Sequence, residues 1–215
     1  MAAPTPNASA LRQLLRERFP QSIRAPGEGL ATGLAELDER TGGLPRSALT
    51  ELTCAAPSCG SQLFVGQMLL AVRQQNARAA LIDSADEFDP SSWPADVLAH
   101  LVWVRCRTTE QAIAAADLFA RDANLDFVAL DLRHATHSEL RRIPSRTWYR
   151  LQRAVENTAQ ALLVLTPSPV VPSAQLRLQL DRSHGLRDHG NERNSITAPL
   201  AFSVQRQRLS SQLTG

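Results

Sequence analysis

The chain has 215 residues, 43% of them hydrophobic and 20% charged, and a formal net charge of +2. That size and composition suit one folded domain with a full core and exclude a disordered chain, and so small a charge makes no electrostatic case for nucleic acid. No window approaches the ~18 uninterrupted apolar residues of a membrane span.

The N-terminus lacks the apolar region of a signal peptide. The cysteines are three, Cys54, Cys59 and Cys106, without paired C-x-x-C spacing. This argues against a disulfide framework and a zinc site and fits a reducing, cytoplasmic setting. Every basic chain of the Lys/Arg type is Arg, and Lys is absent. No internal repeat is visible.

Residues 1–8 are rich in Pro, Ala, Asn and Ser, and the composition predicts a mobile tail. Residues 9–19 predict an amphipathic helix. Leu11, Leu14, Leu15 and Phe19 fall on one face, and Pro20 stops it. Pro26, Gly27 and Gly29 mark a linker, so residues 1–28 read as tail, helix and linker and 29–215 as the core domain. From residue 48 strands alternate with helices. Strands are predicted at 48–53, 78–83, 101–105, 126–132 and 160–167, and helices at 61–75, 109–123 and 145–158. That alternation predicts an α/β fold, a mostly parallel twisted sheet with helices on both faces. Segments 174–182 and 200–208 alternate apolar and polar residues and predict half-exposed antiparallel strands at the C-terminal end. The polar stretch 183–195 between them reads as a long mobile hairpin loop, and 89–94 and 166–173 read as ordinary loops.

The stretch ELTCAAPSCGSQLFVGQMLL, residues 51–70, has the outline of a phosphate-binding loop. Such a loop needs glycines for its turns, a Lys for the terminal phosphates and a Ser or Thr hydroxyl for Mg²⁺. Counting back from Gly60, the first glycine position holds Ala55. The Lys position holds Ser61 and the hydroxyl position holds Gln62. No Lys exists elsewhere to substitute, and no Arg lies in 51–72. Strand–loop–helix geometry is expected to survive without the phosphate chemistry.

The flanks carry a resemblance. GLATGLAELDERTGGLPRSALTEL, residues 29–52, resembles the lead-in of the RecA recombinase family. AALIDSADEFDP, 79–90, is similar to that family's second core strand. TTEQAIAAADLFARDANLDFVALD, 108–131, resembles its Glu-Gln-Ala helix and Walker B strand, ending in Asp131. The resemblance implies a RecA-like core and a catalytic-Glu position two residues after the Asp of the second strand. Ala85 stands there, with Asp86 and Glu87 next to it. Losing Lys, hydroxyl and Glu together removes positioning, charge neutralisation and water activation. No ATPase activity and no cofactor are therefore expected.

Within the superfamily the chain looks like the ImuA family, relatives of RecA in mutagenic translesion synthesis, with SulA-type proteins as cousins. That resemblance implies a non-enzymatic adaptor of the SOS response. Its implied partners are RecA, an ImuB-like Y-family polymerase homologue and an error-prone replicative-type polymerase. It also implies a cytoplasmic, nucleoid-associated location. Two alternatives stand beside it, a SulA-type division inhibitor and a nucleotide-binding regulator without turnover. The equivalent of the N-terminal helix builds the filament in the recombinases, so Leu11, Leu14, Leu15 and Phe19 are candidate docking residues. Packing on the chain's own core is the competing reading.

The segments 133–144 and 167–173, at the places of the family's DNA-binding loops, are short and lack aromatics for base stacking. Arg133, Arg141, Arg142, Arg206 and Arg208 could touch phosphates, and a solvated arginine surface is the plainer reading. His134, His137, His184 and His189 suggest no metal site, because no convincing ligand spacing accompanies them. Cys59 precedes a predicted helix start, which can activate a thiol, although a buried inert thiol is the alternative. Trp93, Trp103 and Trp148 read as packing residues, Asp38 as a helix or turn residue, and Glu110 as helix-start chemistry near Thr108.

Overall fold

The computed structural model describes residues 29–185, 188, 196–197 and 200–208. The predicted helix carrying Leu11, Leu14, Leu15 and Phe19 lies outside the described residues, as does His189.

The chain enters through Leu30, which forms an antiparallel bridge with Leu44. Between them lies helix α1, Ala35–Thr41. The Asp38 carboxylate in this helix accepts hydrogen bonds from the Thr32 amide at 2.9 Å, the Thr32 hydroxyl at 2.8 Å and the Gly33 amide at 3.0 Å. The Thr-Gly-x-x-x-Leu-Asp segment is thus a self-closing turn, with Leu37 fully buried beneath it. Gly43 has φ 90°, and a Cβ there would lie 2.5 Å from the Leu30 carbonyl oxygen. The Gly-Gly-Leu-Pro turn needs that glycine because the two backbones touch.

The remaining elements follow the predicted alternation. They are β1 (Ala48–Thr53), α2 (Ser61–Gln74), β2 (Ala79–Asp83), a 3-10 turn (Pro90–Ser92), α3 (Ala95–Leu98) and β3 (Leu101–Arg105). Then come α4 (Thr109–Phe119), β4 (Phe127–Asp131), α5 (His137–Arg142), α6 (Ser145–Glu156), β5 (Ala161–Thr166), β6 (Leu176–Leu180) and β7 (Phe202–Gln207). The strands form one seven-stranded sheet in the order β3-β2-β4-β5-β1-β6-β7. All pairings are parallel except that of β6 with β7.

Strands β1, β2, β4 and β5 are buried along their whole length. Alternate residues of each therefore feed two core layers. Leu52, Leu81, Phe127 and Leu163 pack with Phe64, Met68 and Leu69 of α2. Ile82, Val128, Leu130 and Leu162 pack with Ala112 and Ala116 of α4 and Trp148 and Leu151 of α6. Gly66 lets α2 approach Trp93, because a Cβ there would meet the indole at 2.2 Å. Trp103 in β3 donates to Asp83 at 3.3 Å and meets Phe88 edge-on.

The antiparallel pair expected at the C-terminal end is present as β6 and β7, and on its other side β6 runs parallel to β1. Its alternating pattern reports which side chains are covered, not strand direction. The segment 133–144 is not wholly loop, because Thr136 and Glu139 form a capping box that starts α5. The helix predicted at 109–123 ends at Phe119, where Asp122 instead accepts from the amide of Asn124 and closes a turn.

Candidate functional site

The ends of β1, β2 and β4 meet where open α/β sheets bind ligands, beyond the carboxyl ends of their strands. The loop from β1 to α2 keeps its shape. Ser58 has φ 55° and Gly60, the N-cap of α2, has φ 90°. Ala55, Gln62 and Ala85 are exposed, while Ser61 is buried. The residue at the hydroxyl position therefore faces solvent, and the one at the Lys position turns inward.

What Ser61 meets is an arginine. Arg133 lies two residues beyond Asp131, and its side chain is 11% exposed. Its Nε donates to both Asp131 carboxylate oxygens at 2.9 and 3.0 Å, and its Nη2 donates to Oδ2 at 2.6 Å. The Nη1 donates to the Ser61 hydroxyl at 2.8 Å. One guanidinium thus bridges the Walker B position to the Lys position. Burial is the largest single influence and works against its charge, but the hydrogen bonds and charge of Asp131, with smaller help from Cys54 and Glu87, together outweigh it and raise its pKa. The site carries a permanent, immobile cation between Asp131 and the loop.

A second carboxylate completes the group. Asp86 has φ 58°, and this turn sends its own side chain outward to Arg105, an exposed pair that holds the Asp86 pKa below its ordinary value. Glu87 comes back over the site. It accepts from His134 Nε2 at 2.8 Å and lies 3.5 Å from Arg133 Nη2. Asp83, at the end of β2, accepts from the amides of Ala85 and Phe88 and shapes this turn. The two-residue offset from Ala85 to Glu87 therefore does not keep a carboxylate away from the site. Glu87 faces a guanidinium there.

The connection between β6 and β7 packs on the loop. The His184 amide donates to the Ser58 carbonyl at 2.8 Å. A Cβ on Gly60 would lie 2.6 Å from Leu200 Cδ2 and 3.0 Å from His184 Nε2. Within the stretch 183–195, expected as a mobile hairpin loop, the described His184 rests on this β1–α2 loop. Cys59 in this loop is buried, and its neighbours Cys54, the Ser61 backbone and hydroxyl and the Arg133 charge all favour its thiolate. Together they outweigh desolvation and lower its pKa to about 6. The Cys54 pKa is pushed far upward, chiefly by the neighbouring Cys59 and then by burial, and its thiol donates to the Leu52 carbonyl at 3.8 Å.

The other candidates are not gathered. Arg141 and Arg142 are exposed in the last turn of α5, beyond the carboxyl end of β4. Arg206 donates to the Pro172 carbonyl at 3.2 Å, and the Arg208 amide bonds to Gln175. Because β7 runs antiparallel and Gln207 pairs with Leu176, this second pair sits at the amino end of the parallel strands. The two arginine pairs lie at opposite ends of the sheet. Thr108 caps α4 by accepting from Gln111, next to Glu110. His137 lies near Ser168, and no cluster of three His, Cys, Asp or Glu among the described residues is placed to hold a metal.

Sequence reasoning missed Arg133 as the cation of the site and Glu87 as its outer carboxylate. A search for charge confined to 51–72 could not find them. The register pairing that sets Asp83 beside Asp131 could, because whatever follows either strand end shares one rim.

Sheet order, loop position and the two core layers define a RecA-like α/β fold, whose phosphate-loop region is bridged by the protein's own arginine. The crystal structure of the RadB recombinase is similar, with a TM-score of 0.57 and 15% identity over 70% of this chain and 82% of that one. At such identity the likeness bears on fold alone. No family model matches the chain, and no curated protein matches it in sequence. No helix among the described residues is long and apolar enough to cross a membrane.

Proposed function

We propose that the chain is a non-catalytic, RecA-like accessory protein of SOS-induced mutagenic translesion DNA synthesis. It acts by protein–protein contact, at the nucleoid, with RecA, an ImuB-like Y-family homologue and an error-prone replicative-type polymerase. The observation that carries the non-catalytic part is the Arg133 guanidinium between Asp131 and Ser61. A fixed monovalent cation there competes with Mg²⁺ for the same carboxylate, and neither Ser61 nor Gln62 supplies the missing Lys and hydroxyl. The ordered resemblance of 29–52, 79–90 and 108–131 to the RecA recombinase family, with the lead-in GGLPRSALTEL and degenerate phosphate loop of ImuA type, supports the pathway. The fold shared with a recombinase agrees with a role near DNA repair.

The contact surface in this reading is the apolar stripe Leu11, Leu14, Leu15 and Phe19, joined to the core through a Pro/Gly linker. Pull-down assays with purified RecA and the Y-family homologue test it. The wild-type chain is expected to capture both, and the Leu11→Asp/Leu15→Asp double variant to lose RecA at an unchanged melting temperature. Undiminished capture by the folded double variant rules out that surface. Capture of a tubulin-like division protein in place of RecA would replace the reading with a SulA-type inhibitor.

A further inference from the structure

Helices α4 and α6 pack on the same core layer, and their outward sides form one surface. In α6, Trp148, Leu151, Ala154 and Val155 are buried. Arg146, Tyr149 and Arg153, at i, i+3 and i+7, share the opposite side of the helix, and all three are exposed. In α4, Ala112 and Ala116 point into the core, so Leu118 stands outward. Asp117 ties the two helices together. Its Oδ1 accepts from Arg150 Nε at 3.0 Å and from Arg121 Nη2 at 3.3 Å. The residues beside this tie, Leu118 and Tyr149, are 72% and 49% exposed, so the surface offers apolar area as well as charge. Arg146 and Arg153 make no ion pair among the described residues. Two guanidinium groups without a counterion therefore stand about 10 Å apart along α6, with a tyrosine between them.

We propose that the α4–α6 surface docks an acidic amphipathic segment of a partner protein. Such a segment carries two carboxylates about two helical turns apart and an apolar side chain between them. The carboxylates pair with Arg146 and Arg153, and each guanidinium can donate two parallel hydrogen bonds to a carboxylate. The apolar side chain packs on Tyr149 and Leu118. Tyrosine and arginine are the residues that dominate binding hot spots, and exposed apolar area flanked by charge suits a protein contact. A phosphate backbone fits less well. Asp117 keeps a negative charge within the surface and engages Arg121 and Arg150, and Leu118 offers a nucleic acid nothing to bind. The inference rests on the reading that the chain acts by protein contact, and it adds a face separate from the Leu11, Leu14, Leu15 and Phe19 stripe.

The test is fluorescence polarisation with the full chain and a dye-labelled, Ala-rich helical peptide that carries Glu at i and i+7 and Leu at i+3 and i+4. The wild-type chain is expected to bind this peptide saturably, more weakly in high salt, and to leave its Lys-for-Glu counterpart unbound. Arg146→Glu/Arg153→Glu should weaken binding at least about tenfold, and Tyr149→Ala and Leu118→Ala severalfold each. Arg40→Glu/Arg73→Glu makes the same charge change on helices of the opposite layer and should bind as wild type. Leu11→Asp/Leu15→Asp should also bind as wild type, which separates this surface from the N-terminal stripe. No saturable binding by the wild-type chain, or undiminished binding by Arg146→Glu/Arg153→Glu, would overturn the proposal. Preference for a dye-labelled oligothymidylate, lost in that same variant, would replace it with a nucleic-acid surface. Arg146, Arg153, Tyr149 and Leu118 are exposed, so their variants are expected to fold, and circular dichroism checks each.

Discussion

Two arginine–carboxylate pairs stand close to β1, and they do opposite things. Glu51 lies in the middle of the strand and is fully buried. Its Oε1 accepts from the Thr166 hydroxyl at 3.1 Å and the amides of Val170 and Val171 at 2.6 and 3.0 Å, and its Oε2 accepts from Arg177 Nε at 2.6 Å. Arg177 also donates to the Val171 carbonyl at 3.0 Å. Every partner belongs to β5, β6 or the connection between them, so this pair staples the sheet where a parallel strand must dock without a crossover helix. The Asp131–Arg133 pair lies at the strand ends instead, and its guanidinium reaches out to Ser61 and toward Glu87. The same ion-pair chemistry is a scaffold in mid-strand and an occupant at the rim. Position relative to the carboxyl ends of the strands, not pairing itself, separates the two.

The sharpest way to break this comparison is to perturb each region separately. Arg177→Ala leaves Glu51 charged, buried and short of its counterion. Breaking such a buried pair costs about 3–5 kcal/mol. Urea unfolding should show that loss, and a change below about 1 kcal/mol would make Glu51 an ordinary buried acceptor. Gly60→Ala acts on the other region. The substitution places a side chain at φ 90° against Leu200 and His184. A strained non-glycine residue of this kind costs about 1–3 kcal/mol. Urea unfolding and proteolysis of the β6–β7 connection should both report it. Unchanged proteolysis alongside lost stability would mean that the strain is local and the connection stays seated.

Much of the scaffold was legible in the chain, and the reason is visible in β3 and β4. Both are short apolar runs bounded by polar turns, and the predicted 101–105 and 126–132 became Leu101–Arg105 and Phe127–Asp131. The lead-in was legible too, because Thr32, Gly33, Asp38 and Gly43 each satisfy a local backbone requirement. The site was only half legible. Ala55, Ser61, Gln62 and Ala85 announce what is missing, yet Arg133 and Glu87 reach the loop through strand pairing that brings distant segments together. Asp86 hid Glu87 further, since a single left-handed residue reverses which carboxylate faces inward. The capping box of Thr136 and Glu139 that starts α5 went unread, because 133–144 was judged only by its length and lack of aromatics. Alternation in β6 showed one covered face and left direction undetermined.

The central claim is that Arg133 has replaced nucleotide chemistry at this site. Isothermal titration of the wild-type chain and of Arg133→Ala with ATP and Mg²⁺ tests it most directly. The account predicts no saturable binding by the wild-type chain up to millimolar ATP. It predicts none by Arg133→Ala either, since removing the arginine restores neither Lys nor hydroxyl. Micromolar, Mg²⁺-dependent binding by the wild-type chain that weakens on Ser61→Ala would contradict it.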